Sequence, residues 1–198
     1  MGTVPPCKDW PHGGIYGVMP LPEESAIHSE HTLLQRARLG SQDALATLFE
    51  RHNTEVHRVA YRLTMSPDDA EDIVQDVFIG LPEALAAYGG AGGFAAWLRK
   101  VTVRTTLMRM RSSRRRAATA ARASTEQRSA MSNFIFDRIA IATALKALPD
   151  EHRVVFVLAD IEGYTHVEIA TLLGIRAGTS EVRLHRARRK LRALLGDS

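Results

Sequence analysis

The carboxylates of Asp68, Asp69, Glu71, Asp72 and Asp76 fall, together with Gln75, on one side of a helical repeat, while Ala70, Ile73, Val74, Val77, Phe78 and Leu81 fall on the other. The apolar side is core. The other is a block of negative charge that repels phosphate and, taken alone, needs no partner but water. Its company gives it meaning. From Leu63 to Leu98 there is no Lys or Arg, and then the sign reverses: ten basic residues stand between Arg99 and Arg128 against the single acid Glu126, and six between Arg183 and Arg192 against none. Two separated cationic patches suit a long polyanion better than a small acidic substrate, because each neutralised phosphate releases counterions.

A chain of 198 residues that is 45% hydrophobic can build one domain or two small ones. Its net charge is only +4, so the placement of charge says more than its sum. Cys7 is the sole cysteine, which excludes an internal disulfide and suggests a reducing compartment. No apolar run approaches the ~20 residues that span a bilayer, and the N-terminus lacks the basic and apolar blocks of a signal peptide. A cytoplasmic protein with no membrane contact of its own is expected. Cys7, His12, His28 and His31 match no compact zinc spacing, and no nucleophile elbow, P-loop or metal motif occurs, so neither a metal, a cofactor nor an enzymatic activity is expected.

The elements that must hold these charges are helices. Residues 1–29 carry Pro5, Pro6, Pro11, Pro20 and Pro22 without a helical period and read as an irregular extension. Thr32 to Leu39 reads as a short helix closed by Gly40, and Ser41 caps a longer one with the stripe Leu45, Leu48, Phe49, Val56, Val59, Ala60 and Leu63. Ser66 caps the acidic helix, Pro67 suits its first position, and the early aspartates meet the positive end of its dipole. A kink or restart is expected at Pro82. The run from Tyr88 to Gly93 holds four glycines and must be a loop. Phe94, Trp97, Leu98, Val101 and Met108 then mark a helix whose apolar seam anchors a basic face carrying Arg99, Lys100 and Arg104.

Residues 117–133 read as a linker rich in Ala, Arg, Ser and Thr. Beyond it, Phe134, Ile135, Ile139, Ala142, Leu145 and Leu148 predict a helix ending at Pro149, and Val154, Val155, Val157 and Leu158 belong to another. Thr165 with Glu168 spells a capping box, and Gly174 suits a left-handed stop. Thr179 is expected to cap the next helix, whose exposed positions begin Ser180, Glu181 and Arg183. Two short helices joined by a glycine-containing turn, the second basic, predict a helix-turn-helix with its second helix in the major groove. The expected fold is therefore all-α: two small helical domains, 30–116 and 134–198, joined by a flexible linker, the second a helix-turn-helix.

The chain resembles the sigma factors of bacterial RNA polymerase, specifically the small extracytoplasmic-function group that keeps only the second and fourth conserved regions. The resemblance covers about Leu45 to Arg116 and Ala144 to Leu195. It rests on DAEDIVQDVF, FAAWLRKV, ALPDEHRVVFVL, GYTHVEIATLLGI and RLHRARRKL standing in this order and separation. It implies that Asp69, Asp72, Gln75 and Asp76 grip the clamp helices of the polymerase beta-prime subunit. It implies that the loop at Tyr88, Gly89 and Gly90 receives a base flipped from the minus-ten element, where glycines permit close backbone approach. Arg99, Lys100, Arg104, Arg111, Arg114 and Arg115 would then track single-stranded and duplex DNA. The last helix, through Thr179, Ser180, Glu181, Arg183, Arg186 and Arg189, would read the minus-thirty-five element, with Arg183 and Arg186 nearest base edges.

At three positions the chain departs from the pattern of the family it resembles. Arg104 stands where the family commonly has Asn, Ser180 where it has a β-branched apolar residue packing two helices, and Glu181 where it has Lys. The alternative function is a stand-alone helix-turn-helix regulator that binds duplex DNA without polymerase; it would not need the acidic helix. Regulation is expected from an anti-sigma partner, or from the N-terminal extension acting in cis.

Overall fold

The computed structural model of the chain describes residues 29–90, 92–120 and 136–196. The expectations for the N-terminal extension, for Cys7, and for residues 121–135 of the linker region lie outside the described residues. Among those described, every regular element is helical and no strand occurs.

Local rules account for the first domain. Ser29 accepts the amide of Thr32 and so starts helix α1 (Glu30–Arg38) two residues before the sequence pattern does. Ser41 accepts from the Ala44 amide to start α2 (Gln42–Thr64), and Ser66 accepts from the Asp69 amide at 3.2 Å to start α3 (Pro67–Ile79). Helix α3 stops at Gly80, and the chain restarts with Pro82 in the first turn of α4 (Leu81–Ala84), which tightens into a 3-10 turn over Leu85–Ala87. Then α5 runs 27 residues from Phe94 to Ala120, past the expected linker boundary at 117. Leu33, Ala37, Leu48, Ile73, Val77, Leu81, Leu85, Phe94 and Leu98 close one core among these helices. Phe49 lies at its edge, 40% exposed, with its ring edge-on to Phe78.

The second domain comprises α6 (Phe136–Lys146), α7 (Asp150–Phe156), α8 (His166–Leu173) and α9 (Ala177–Gly196). Helix α7 continues into a π turn over Val157–Ile161.

The two domains share their cores. Val59 and Leu63 of α2 and Val103 and Leu107 of α5 pack in one cluster with Val154, Val155, Val157, Leu158, Ile169 and Leu184. Met65 ends α2 in the left-handed region (φ 55), unusual for a residue other than glycine, and its buried side chain joins Ala144, Leu145, Leu148, Ala187 and Leu191. Arg153, 5% exposed, donates from Nε to the Leu63 carbonyl, from Nη1 to Leu148 and from Nη2 to Asp150. A buried cation thus satisfies a carbonyl at the C-terminal end of α2, where the helix dipole favours positive charge. This seam corrects one expectation: Met108, expected in the core, is 61% exposed, because α2 and the second domain together cover the neighbouring face of α5 at Val103 and Leu107.

Candidate nucleic-acid interface

On α3, Asp69, Asp72, Gln75 and Asp76 are all exposed, and the opposite face holds Ala70, Ile73, Val74 and Val77 in the core. Arg109 of α5 reaches across to both Asp72 and Asp76, donating from Nη1 to Asp76 Oδ2 at 2.6 Å and from Nη2 to Asp72. All three side chains keep substantial contact with water, and such surface pairs contribute about 0–1 kcal/mol each. The acidic face is therefore tethered weakly and can exchange Arg109 for another cation.

The glycine loop is fixed at its base and open at its tip. The Tyr88 ring packs on Trp97 at 5.1 Å and edge-on to Phe94 at 5.9 Å. Arg38 of α1 donates from Nε to the Leu85 carbonyl and from Nη2 to that of Tyr88. Gly90, Gly92 and Gly93 have φ of 79°, 81° and 77°, and a Cβ added at any of them would meet none of the described residues within 4 Å. Glycine is favoured there for backbone conformation, and among the described residues nothing crowds Gly89 or Gly90.

Along α5 the candidate cations divide. Lys100 and Arg104 are exposed to solvent. Arg99, Arg111 and Arg114 engage the second domain: Arg99 faces Glu162, Arg111 donates to the Leu172 carbonyl, and Arg114 donates to Asp150 at 3.1 Å. Arg115 is exposed.

The helix-turn-helix forms with two corrections. The Thr165–Glu168 capping box is complete, and its hydrogen bonds from the Thr165 amide and hydroxyl hold the Glu168 carboxyl below its usual value. Gly174 closes α8 in the left-handed region at φ 67. Helix α9, however, begins at Ala177, with the Arg176 carbonyl accepting from the amides of Thr179 and Ser180, so Thr179 lies inside the first turn and is not its cap. Ser180 does not lie on the exposed face of α9. It is fully buried, with Oγ 2.9 Å from Nδ1 of His166 on α8. The inward stripe is Ser180, Leu184, Ala187 and Leu191, at helical spacing, and a serine–histidine hydrogen bond holds the two helices together where a β-branched contact is expected. Thr179, Glu181, Arg186 and Arg189 are exposed, as is Val182 at 50%. Arg183 is partly covered and donates to Glu151 at 2.6 Å.

Sequence reasoning missed Arg38, Arg62, Arg153 and Glu162. The first two sit in helices without an unusual local pattern, and nothing in the chain around Glu162 signals the π turn that aims it.

Two helical modules, one with an open glycine loop beside a cationic helix and one with a capped helix-turn-helix, define a DNA-binding protein of transcription. The Sigma-70 region 2 family profile matches residues 48–116, and that of Sigma-70 region 4 matches residues 138–191. The ECF RNA polymerase sigma factor SigM of Mycobacterium tuberculosis is 32% identical over 174 residues, covering 85% of each chain. The RNA polymerase sigma factor CarQ of Myxococcus xanthus is 32% identical over 167 residues, covering 83% of this chain and 96% of that protein. The fold is shared with the sigma factor RpoE solved in complex with the anti-sigma factor NepR from Bartonella quintana, at a TM-score of 0.56 and 22% identity over 76% of this chain and 96% of that one. The chain belongs to the extracytoplasmic-function group of RNA polymerase sigma factors.

Proposed function

We propose that this chain binds core RNA polymerase and directs it to promoters, supplying DNA contacts and stabilising melting while the polymerase carries out the chemistry. The observation that carries this reading is the pairing, on one small domain, of an exposed acidic face with an open glycine loop and the cations Lys100 and Arg104. A DNA-binding regulator acting alone leaves the acidic face without a use, since carboxylates repel phosphate.

In finer terms, residues 30–116 bind polymerase and the minus-ten element and residues 134–198 the minus-thirty-five element. Asp69, Asp72, Gln75 and Asp76 meet the clamp helices. Tyr88, Gly89 and Gly90 receive an unstacked base, and Lys100 and Arg104 hold the backbone beside it, joined by Arg99, Arg111, Arg114 and Arg115. Thr179, Glu181, Arg183, Arg186 and Arg189 face the major groove, with Ser180 positioning the helix from within. The protein acts in the cytoplasm, and an anti-sigma factor is its regulatory partner.

Purified protein added to core polymerase should start run-off transcription from a promoter of its own organism, and removing it should abolish that start. Inability to bind core polymerase would overturn the assignment.

A further inference from the structure

The π turn has a precise product. The Glu162 amide bonds to the Val157 carbonyl at 2.9 Å and the Tyr164 amide to that of Leu158 at 2.8 Å, widening the backbone and carrying Glu162 into the seam against the first domain. Its side chain is 3% exposed, with Oε1 3.5 Å from Arg62 Nη1 and Oε2 3.6 Å from Arg99 Nε. Two guanidiniums from different helices, α2 and α5, converge on one anion with two oxygens, a geometry that suits a carboxylate or a phosphodiester.

The present occupant fits poorly. Neither contact closes to a good hydrogen-bond distance, and Arg99 Nε is buried without a hydrogen-bond partner among the described residues. Burial pushes the Glu162 carboxyl above its usual range even against the pull of Arg62 and Arg99. A phosphodiester is a much stronger acid and keeps its charge where burial works against that of a carboxylate. The other contacts of the seam run the same way: Asp150 sits on Arg114 and the Leu172 carbonyl on Arg111, so acceptors of the second domain stand along α5 opposite its cations.

We propose that Arg62 and Arg99 form a phosphodiester-binding site of the first domain, and that Glu162 occupies it as a placeholder while the two domains are closed. DNA backbone and the second domain then compete for one pair of guanidiniums. Arg62 becomes a DNA contact on α2, outside the basic helix, and DNA binding is coupled to separation of the domains. This rests on the DNA-binding reading of the first domain.

The test uses the full chain with dyes on Glu50→Cys and Lys190→Cys in a Cys7→Ser background, and a duplex of about 20 base pairs titrated at ~50–200 mM salt. Duplex should lower energy transfer between the domains. R62Q should weaken duplex binding by roughly tenfold irrespective of sequence and reduce the slope of log K against log salt by about 0.9, the signature of one lost phosphate contact. R62K, which keeps the charge, should restore the slope; a purely structural role for Arg62 would not track charge in this way. Binding without loss of energy transfer, or a salt slope unchanged in a folded R62Q protein, overturns the proposal. Run-off transcription by the unmodified protein with core polymerase is measured beside it. Initiation with an unchanged R62Q slope removes the site alone, whereas failure of the unmodified protein to initiate removes the sigma-factor reading.

Discussion

Asp72 and Asp76 on α3 and Glu162 beyond α7 are carboxylates paired with arginines, yet they occupy opposite physical situations. Asp72 and Asp76 are about half exposed, share Arg109, and remain hydrated. Glu162 is 3% exposed and faces Arg62 and Arg99 at 3.5 and 3.6 Å, and beside it the Arg99 Nε is buried with no hydrogen-bond partner among the described residues. An exposed acid gives up its partner at little cost and is available to another protein. A buried one holds its place only while the surrounding surfaces stay together. The same residue chemistry is therefore open to a change of partner at one site and committed to the chain itself at the other.

The strongest way to break this contrast is charge reversal at the buried site. Glu162→Lys should destabilise the closed chain by about 3–5 kcal/mol in chemical denaturation, because it sets a third cation against two, while leaving affinity for core polymerase near the unmodified value. The converse experiment is Asp72→Lys with Asp76→Lys. Core polymerase binding should fall by about a hundredfold through like-charge contact, with the denaturation midpoint shifted by less than about 1 kcal/mol in energy. Equal losses of stability from the two variants would erase the distinction between exposed and buried acids.

A smaller effect is expected inside the helix-turn-helix. Ser180→Ala strips His166 of its buried partner and should cost about 1 kcal/mol of stability. It should weaken DNA binding only through helix placement, so every base of the minus-thirty-five element is affected alike. A change of preference at a single base would place Ser180 back on the DNA face.

The least effect is one of pH, and its sign differs across the seam. Burial raises Glu162 above the ordinary value of 4.5, with Glu55 adding to burial and Arg62 and Arg99 opposing it. Its contribution to closure is fully present below 4.5 and is lost as pH rises through the raised value. For Asp150, burial pushes upward but Arg153 and Arg114 together outweigh it and hold the carboxyl below 3.8. Its contribution is present above 3.8 and is lost as pH falls through the lowered value. Energy transfer between the domains should therefore rise as pH falls through the raised Glu162 value, and Glu162→Gln should flatten that rise.

What the sequence disclosed was what local rules govern. The caps at Ser41, Ser66 and Thr165, the restart at Pro82, the left-handed Gly174 and the positive φ values of the glycine loop each follow from a residue and its immediate neighbours. The acidic face of α3 followed from periodicity alone. Legibility failed where a face had two claimants. Val103, Leu107 and Met108 are all apolar, and the packing of α5 against α2 and the second domain together decides which of them is covered. Ser180 and Val182 show the same ambiguity in α9: residue type puts the valine inside, but spacing with Leu184, Ala187 and Leu191 puts the serine there. Arg62, Arg99 and Glu162 meet through a backbone irregularity that no residue pattern around it encodes.

The shared core has a consequence during synthesis. Val59, Leu63, Val103 and Leu107 leave the ribosome with no apolar neighbour from the second domain, and that neighbour is complete only once Leu184 has followed. At about 5–20 residues per second, the interval after Leu107 lasts roughly 4–15 s. For that time the nascent first domain shows a greasy stripe beside an already acidic helix, a surface on which a chaperone, or the polymerase itself, has its first opportunity to act before the chain can close on itself.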